Sequence, residues 1–235
     1  MFAPIEKTKD TKGKNRPRVL VGIPTLLNLH VENALRLLHW SRSTRFALDV
    51  YVTVNQIPHD VARNTIHRHF CENPDFDWIF MLDAMCVPPA DVIERFLDYD
   101  LPMVGACAQT FQRSGEGPPS LVPVSYNWDE ERDGYYTHYG KGLEEVDVTT
   151  CASTLVRRDV MLAVDRPAFQ HHLEGPYGLK GMGEDFHFCE NVRRHGFKIH
   201  TDYDVLCRHF LWTDSHLVND CLNAELEARM SDGRD

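Results

Sequence analysis

The sequence predicts an α/β domain on a largely parallel sheet, and three observations carry that expectation. Short apolar, β-branched runs alternate with segments of helical apolar spacing through the first hundred residues, the pattern of strands joined by helical crossovers. The length of 235 residues, 43% of them hydrophobic, suits one domain of the larger sort. No run reaches the roughly 18 consecutive apolar residues of a membrane-spanning helix.

Arg18 to Ile23 reads as a fully buried first strand that stops at Pro24 and Thr25. From Asn28, the apolar residues Val31, Ala34, Leu35 and Leu38 recur at helical spacing among His30, Glu32, Asn33 and Arg36, which predicts an amphipathic helix. Asp49 to Val54 is a second strand, Asp60 to Phe70 a helix capped by Asp60, and Asp77 to Leu82 a third buried strand. Asp83 follows that strand, and Val87-Pro88-Pro89 leads into a helix to Tyr99, with proline where a first turn tolerates it. Leu101 to Ala108 is the fourth strand.

The second half lacks this alternation. Gln112 to Pro119 and the stretch from His171 to Met182 are Gly-rich loops, and Gln112 to Pro119 and Glu174 to Met182 are candidate lids. Between them lie one or two hairpins from Val122 to Val148, a strand from Val146 to Val156 and a helix from Arg158 to Val164. Trp128, Tyr135, Tyr136 and Tyr139 read as core of this half, with an acceptor-stacking platform as the alternative. Glu184 and Asp185 open a helix that Gly196 ends in a left-handed cap. Phe197 to Thr201 is a short strand, and Asp214 or Ser215 caps a last helix through Met230. Residues 1–17 form a Lys-rich leader without a signal-peptide core, and residues 18–235 a single domain with a nucleotide-binding half, 18–108, and an acceptor half, 109–235. The expected compartment is the cytoplasm.

A formal charge of −10 disfavours non-specific binding of phosphate backbones. Seven cysteines, none in a Cys-x-x-Cys pair, read as reduced and mostly buried thiols.

Chemistry is expected where an open α/β sheet puts its ligands, beyond the carboxyl ends of strands. Asp83 ends a strand, Glu184 and Asp185 start a helix behind a Gly-rich loop, and His209 follows the apolar run Val205-Leu206-Cys207. Carboxylates with an imidazole suit a divalent cation such as Mn2+ or Mg2+. The other histidines show no zinc-like spacing.

The order VGIPT, VARN, FMLDAMCVPP, GEDFHFCENVRRHGFKI and RHF resembles the family-2-like GT-A glycosyltransferases, including their short bacterial and phage versions, from about Arg18 to Phe210. The resemblance implies a Rossmann-like GT-A fold with a mixed central sheet, and transfer of a sugar from a nucleoside-diphosphate sugar to a hydroxyl. It implies that Pro24 and Thr25 lie against the nucleotide, that Arg63 and Asn64 bind the nucleotide or its phosphates, and that Asp83 is the first carboxylate of a D-x-D motif. It further implies Asp185, beside Glu184, as the base, and His209 as completing the metal site.

One position departs from that pattern. Met85 stands where the second aspartate of D-x-D is expected, and a thioether is a poor ligand for a hard cation. Three outcomes stay open: a site rebuilt from Asp83, His209 and the sugar diphosphate, a metal-independent enzyme relying on Arg63 or a lysine, or an inactive sugar-nucleotide-binding module. The acceptor is open too, between a glycan or small metabolite and a hydroxymethylated DNA base. The DNA reading expects Arg113, Lys141, Arg157 and Arg158 to gather near the site. Asp83 as a plain turn cap, Glu184 and Asp185 as first-turn acids, and His209 as an ordinary histidine are the bland alternatives.

Overall fold

The structure, a computed structural model, describes residues 16–26, 28–112, 120–174 and 180–210. The expected last helix, most of the leader and the centres of both Gly-rich loops lie outside the described residues.

In chain order the elements begin β1 (Arg18–Thr25), α1 (Val31–Trp40), β2 (Ala47–Val54), α2 (His59–Glu72), β3 (Trp78–Leu82), β4 (Cys86–Val87), α3 (Val92–Tyr99) and β5 (Met103–Gln112). They continue as β6 (Ser120–Pro123), β7 (Ser125–Asp129), β8 (Gly134–Thr137), β9 (Leu143–Val146), β10 (Val148–Thr149), β11 (Ser153–Arg157) and α4 (Arg158–Ala163). Then come β12 (His172–Glu174), β13 (Lys180–Met182), α5 (Glu184–Arg194) and β14 (Ile199–His209).

The main sheet runs β2-β1-β3-β11-β5-β14-β4, with β6 on β5 and β9 on β14. β1 is parallel to both β2 and β3, and β14 is parallel to β5. The antiparallel β11 is interleaved between β3 and β5, which makes the sheet mixed. This interleaving brings the turn before β11 against the end of β3: Ser153 pairs with Leu82, and the Asp83 amide donates to the Ala152 carbonyl at 2.9 Å.

Both faces of the sheet are covered at β3, which is apolar throughout. Val19, Val21, Ile23, Phe80 and Leu82 feed one core with Trp40, Phe96 and Leu155. Leu20, Ile79 and Met81 feed the other, with Ile66, Phe70, Phe169 and Phe188. Each such side chain stabilises the fold by about 1.5–3 kcal/mol on burial. Helix α2 comes so close to β1 that a Cβ on Gly22 would stand 2.4 Å from Ile66 Cγ2.

Three local expectations are corrected. Helix α1 buries Asn33 and Trp40 rather than the aliphatic row, leaving Val31, Leu35 and Leu38 exposed. Asn33 turns inward because its amide donates to the Cys86 and Ala84 carbonyls at 2.9 and 3.1 Å, closing the loop after β3. Helix α2 starts before Asp60, with Pro58 as N-cap and no side-chain cap bond. The short strand expected at Phe197 to Thr201 is part of β14, which continues to His209 across an irregularity between Asp202 and Leu206. Gly196 ends α5 with φ of 82°, as a left-handed cap requires.

Candidate active site

The carboxyl ends of β1 and β3, the start of α2 and the end of β14 enclose a cavity of about 580 Å3. Pro24 and Thr25 line it from β1, where the Thr25 hydroxyl donates to the Asn28 carbonyl at 2.8 Å and fixes the turn. Asp83 and Met85 line it from the loop after β3, and His209 lines it from β14. His209 arrives there because β14 pairs antiparallel with β4, setting it opposite Cys86, and the Phe210 amide donates to the Met85 carbonyl at 2.9 Å. Of the residues marked out by sequence, Pro24, Thr25, Asp83 and His209 therefore share one cavity, joined by Gln56 and His59.

Arg63 is placed elsewhere. Its side chain is only 1% exposed, behind the cavity wall, where Nη2 lies 2.9 Å from Asp83 Oδ1 and 3.7 Å from Asp185 Oδ1, and Nε lies 3.2 Å from Glu184 Oε1. One guanidinium thus gathers three carboxylates from β3 and α5, geometry for which its planar fork is suited. Burial alone would lower its pKa, but the charges of Asp83 and Asp185 outweigh that and raise it. Asn64 faces away from the cavity; its amide donates to the Phe169 carbonyl at 2.7 Å and accepts from the Phe169 amide at 3.1 Å. The resemblance implied nucleotide contacts for both residues; in the structure both side chains have internal partners.

Helix α5 begins at Glu184 behind Gly183, which offers no side-chain cap, so the two first-turn acids meet the positive end of the helix dipole. Asp185 Oδ2 accepts from the Thr150 hydroxyl and the Cys151 amide, both at 3.1 Å. Its Oδ1 is buried with no hydrogen bond, facing the Arg63 charge. Burial raises the Asp185 pKa, the Arg63 charge opposing it and the neighbouring carboxylates adding to it. Glu184 behaves oppositely. Burial would raise it, but the hydrogen bond from His59 and the Arg63 charge hold it at about 2. Both Glu184 oxygens are engaged: Oε1 by Arg63 and by His59 Nδ1 at 3.1 Å, Oε2 by His171 Nε2 at 3.0 Å.

His59, His171, Gln56 and Thr150 are the parts of this site that sequence reasoning did not single out. Their only signal is position, at a strand end, a helix start or a loop, because side-chain pairings between separate elements, 35 residues apart for Thr150 with Asp185 and 125 for His59 with Glu184, leave no local periodicity.

A divalent cation was expected between Asp83 and His209. His209 Nδ1 is buried without a hydrogen-bond partner, as a free donor would be, but one Asp83 oxygen is already bonded to Arg63 and Met85 offers a thioether. Among the described residues no three His, Cys, Asp or Glu side chains group as a metal site. Two donors beside a fixed guanidinium do not fit a resident hard cation, which takes about six oxygens.

In the second half, Tyr126 and Tyr135 pack on Phe186 with centroids 5.0 and 5.3 Å apart, while Trp128, Tyr136 and Tyr139 are exposed. The expected aromatic core is therefore divided between packed and solvent-facing rings. Arg157 and Arg158 lie at the end of β11 paired with the start of β3, the opposite edge of the sheet from Asp83. Arg158 donates there to the Asn73 and Phe76 carbonyls at 2.9 and 3.1 Å. No described helix is long and apolar enough to cross a membrane.

Comparison with known proteins adds the family. The model for "Glycosyltransferase like family 2" matches residues 43–223. No curated protein matches the chain. Among solved structures, A197 from STIV superposes with a TM-score of 0.51 at 19% identity, over 83% of this chain and 86% of that one. GalNAc-T7, crystallised with UDP, GalNAc and Mn2+, superposes with a TM-score of 0.51 at 11% identity, over 84% of this chain and 44% of that one. At these identities the likeness is one of fold, and it is the GT-A fold that the sequence motifs implied.

Proposed function

We propose, for a chain that belongs to the glycosyltransferase-like family 2, transfer of a sugar from a nucleoside-diphosphate sugar in the 580 Å3 cavity to an acceptor hydroxyl deprotonated by Asp185. Family membership carries the glycosyl-transfer role itself. The observation that carries the residue assignment is that Asp83, which lines the cavity, and Asp185 both contact the same nitrogen of Arg63, at 2.9 and 3.7 Å. Donor pocket and base are therefore adjacent.

In this reading Pro24 and Thr25 flank the nucleotide and Asp83 faces the donor diphosphate and sugar. Asp185, which shares Arg63 with the cavity-lining Asp83, takes the acceptor proton. The Thr150 hydroxyl and Cys151 amide hold its Oδ2 and so fix its direction. Glu184, with both oxygens bonded, orients rather than reacts. No step is routed through a metal. Mn2+ or Mg2+ carried on the sugar diphosphate would be read out as a cation requirement in the test below. A glycan or small-metabolite acceptor fits the net charge of −10 better than DNA, since Arg157 and Arg158 sit at the far edge of the sheet.

The test is a thermal-shift screen against UDP-, GDP- and dTDP-sugars with and without Mn2+, followed by detection of released nucleoside diphosphate. Stabilisation by one donor with slow release of its diphosphate supports the reading. Binding without release from any acceptor makes the chain a non-catalytic sugar-nucleotide-binding module, and no binding by folded protein removes the donor assignment.

A further inference from the structure

Departure of a nucleoside diphosphate concentrates negative charge on its β-phosphate, and a site that accelerates the step needs positive charge aimed there. Among its described lining residues the cavity carries one formal charge, that of Asp83, and no lysine or arginine. Arg63 does not fill the gap, being enclosed and shared among three carboxylates. The donor set does not fit a resident cation. Of the two histidines lining the cavity, His59 is the one backed by a carboxylate.

His59 stands in the first turn of α2, its side chain 43% exposed, with Nδ1 3.1 Å from Glu184 Oε1. Glu184 is itself pinned by Arg63 and His171, so the imidazole is oriented from behind. The charged and titratable groups around it are Asp60 and Arg63 on α2, Glu184 and Asp185 on α5, His171 ahead of β12, and Asp83 after β3. With Nδ1 turned to the Glu184 carboxylate, Nε2 is the ring nitrogen left for a ligand in the cavity, and each imidazole nitrogen can carry an N–H.

We propose that His59, oriented by Glu184, is the contact that donates a ring N–H to the departing diphosphate, in place of the cation that an intact D-x-D motif would hold. As the bond from the acceptor oxygen to the anomeric carbon forms, the bond from that carbon to the β-phosphate oxygen breaks and its electron pair stays on the diphosphate. The acceptor proton passes to Asp185. His59 hydrogen-bonds the leaving oxygens and keeps its proton, so the step balances without a further reactant. The assignment rests on the donor reading above and adds to it the residue that meets the phosphates.

The experiment uses whichever of UDP, GDP or dTDP stabilises the wild-type chain most, with the matching nucleoside as control, titrated calorimetrically in EDTA into wild type, His59→Gln and His59→Lys. The expected result is diphosphate affinity that survives EDTA in wild type, falls roughly tenfold or more in His59→Gln as a charge-assisted hydrogen bond is lost, and recovers in part in His59→Lys. Nucleoside affinity stays level throughout, and kcat falls more than KM rises in His59→Gln because the charge develops in the transition state. Diphosphate affinity that is unchanged in His59→Gln, or that disappears in EDTA for all three proteins, overturns the proposal while leaving the donor reading standing. Failure of all three nucleotides to bind wild type overturns the donor reading itself, and His59 with it.

Discussion

Replacing Arg63 with methionine separates a structural keystone from a ligand contact. Methionine keeps the apolar stem and removes the charge. Three carboxylates then lose a shared cation: Asp83 at 2.9 Å, Glu184 at 3.2 Å and Asp185 at 3.7 Å, the Arg63 side chain being 1% exposed. Breaking a buried ion pair on one side costs about 3–5 kcal/mol, because the remaining charge stays desolvated. For a chain of this size that corresponds to a fall in melting temperature of roughly 10 °C. The pH dependence has a definite sign. Asp185 already has a raised folded pKa, and losing Arg63 raises it further, so protonation relieves the strain and the deficit shrinks as pH falls from neutral. Urea unfolding of wild type and Arg63→Met at neutral and mildly acidic pH measures both effects. Combining Arg63→Met with Glu184→Gln should recover part of the loss, as expected for groups in direct contact. A deficit below about 1 kcal/mol, or one that does not change with pH, refutes the keystone role. Unchanged stability with lost nucleotide affinity would instead make Arg63 a donor contact.

Three further perturbations have definite outcomes. Asp185→Asn should lower turnover about 100-fold or more while leaving the melting temperature level or higher, since a buried charge is removed; in wild type, turnover should rise with pH through a midpoint above the ordinary carboxylate value. Asn33→Leu removes the donor to the Cys86 and Ala84 carbonyls, and chemical denaturation should show a loss of about 2 kcal/mol or more. Gly22→Ala drives a methyl to 2.4 Å from Ile66 Cγ2, and overpacking of this kind costs about 1–3 kcal/mol, measurable as a shift in urea midpoint at constant slope.

The strand-helix alternation of the first half was legible because strands covered on both faces must be continuously apolar, as Trp78 to Leu82 are. The placement of Asp83 followed directly, since a residue after such a strand falls at the ligand edge of the sheet. The interleaving of β11 between β3 and β5 was not legible, because strand order depends on pairing between distant segments. The inward face of α1 was misleading for a different reason: the hydrogen bonds of Asn33 to the loop after β3 outrank an aliphatic row in deciding which side faces the sheet. Arg63 was marked by its motif, yet its partner Glu184 lies 121 residues away, and only the fold shows that the two meet.

That separation bears on the order in which the molecule assembles. The pairing of Arg63 with Asp83 spans 20 residues within the α2–β3 segment, whereas its pairing with Glu184 spans 121 and waits for α5 to dock. Closing the longer loop is entropically the costlier event. Contacts made after the folding barrier slow unfolding without speeding folding. The expected outcome is that Glu184→Gln speeds unfolding more than it slows folding, which stopped-flow kinetics would measure; that would tie the lifetime of the native chain to residues that catalysis is proposed to use.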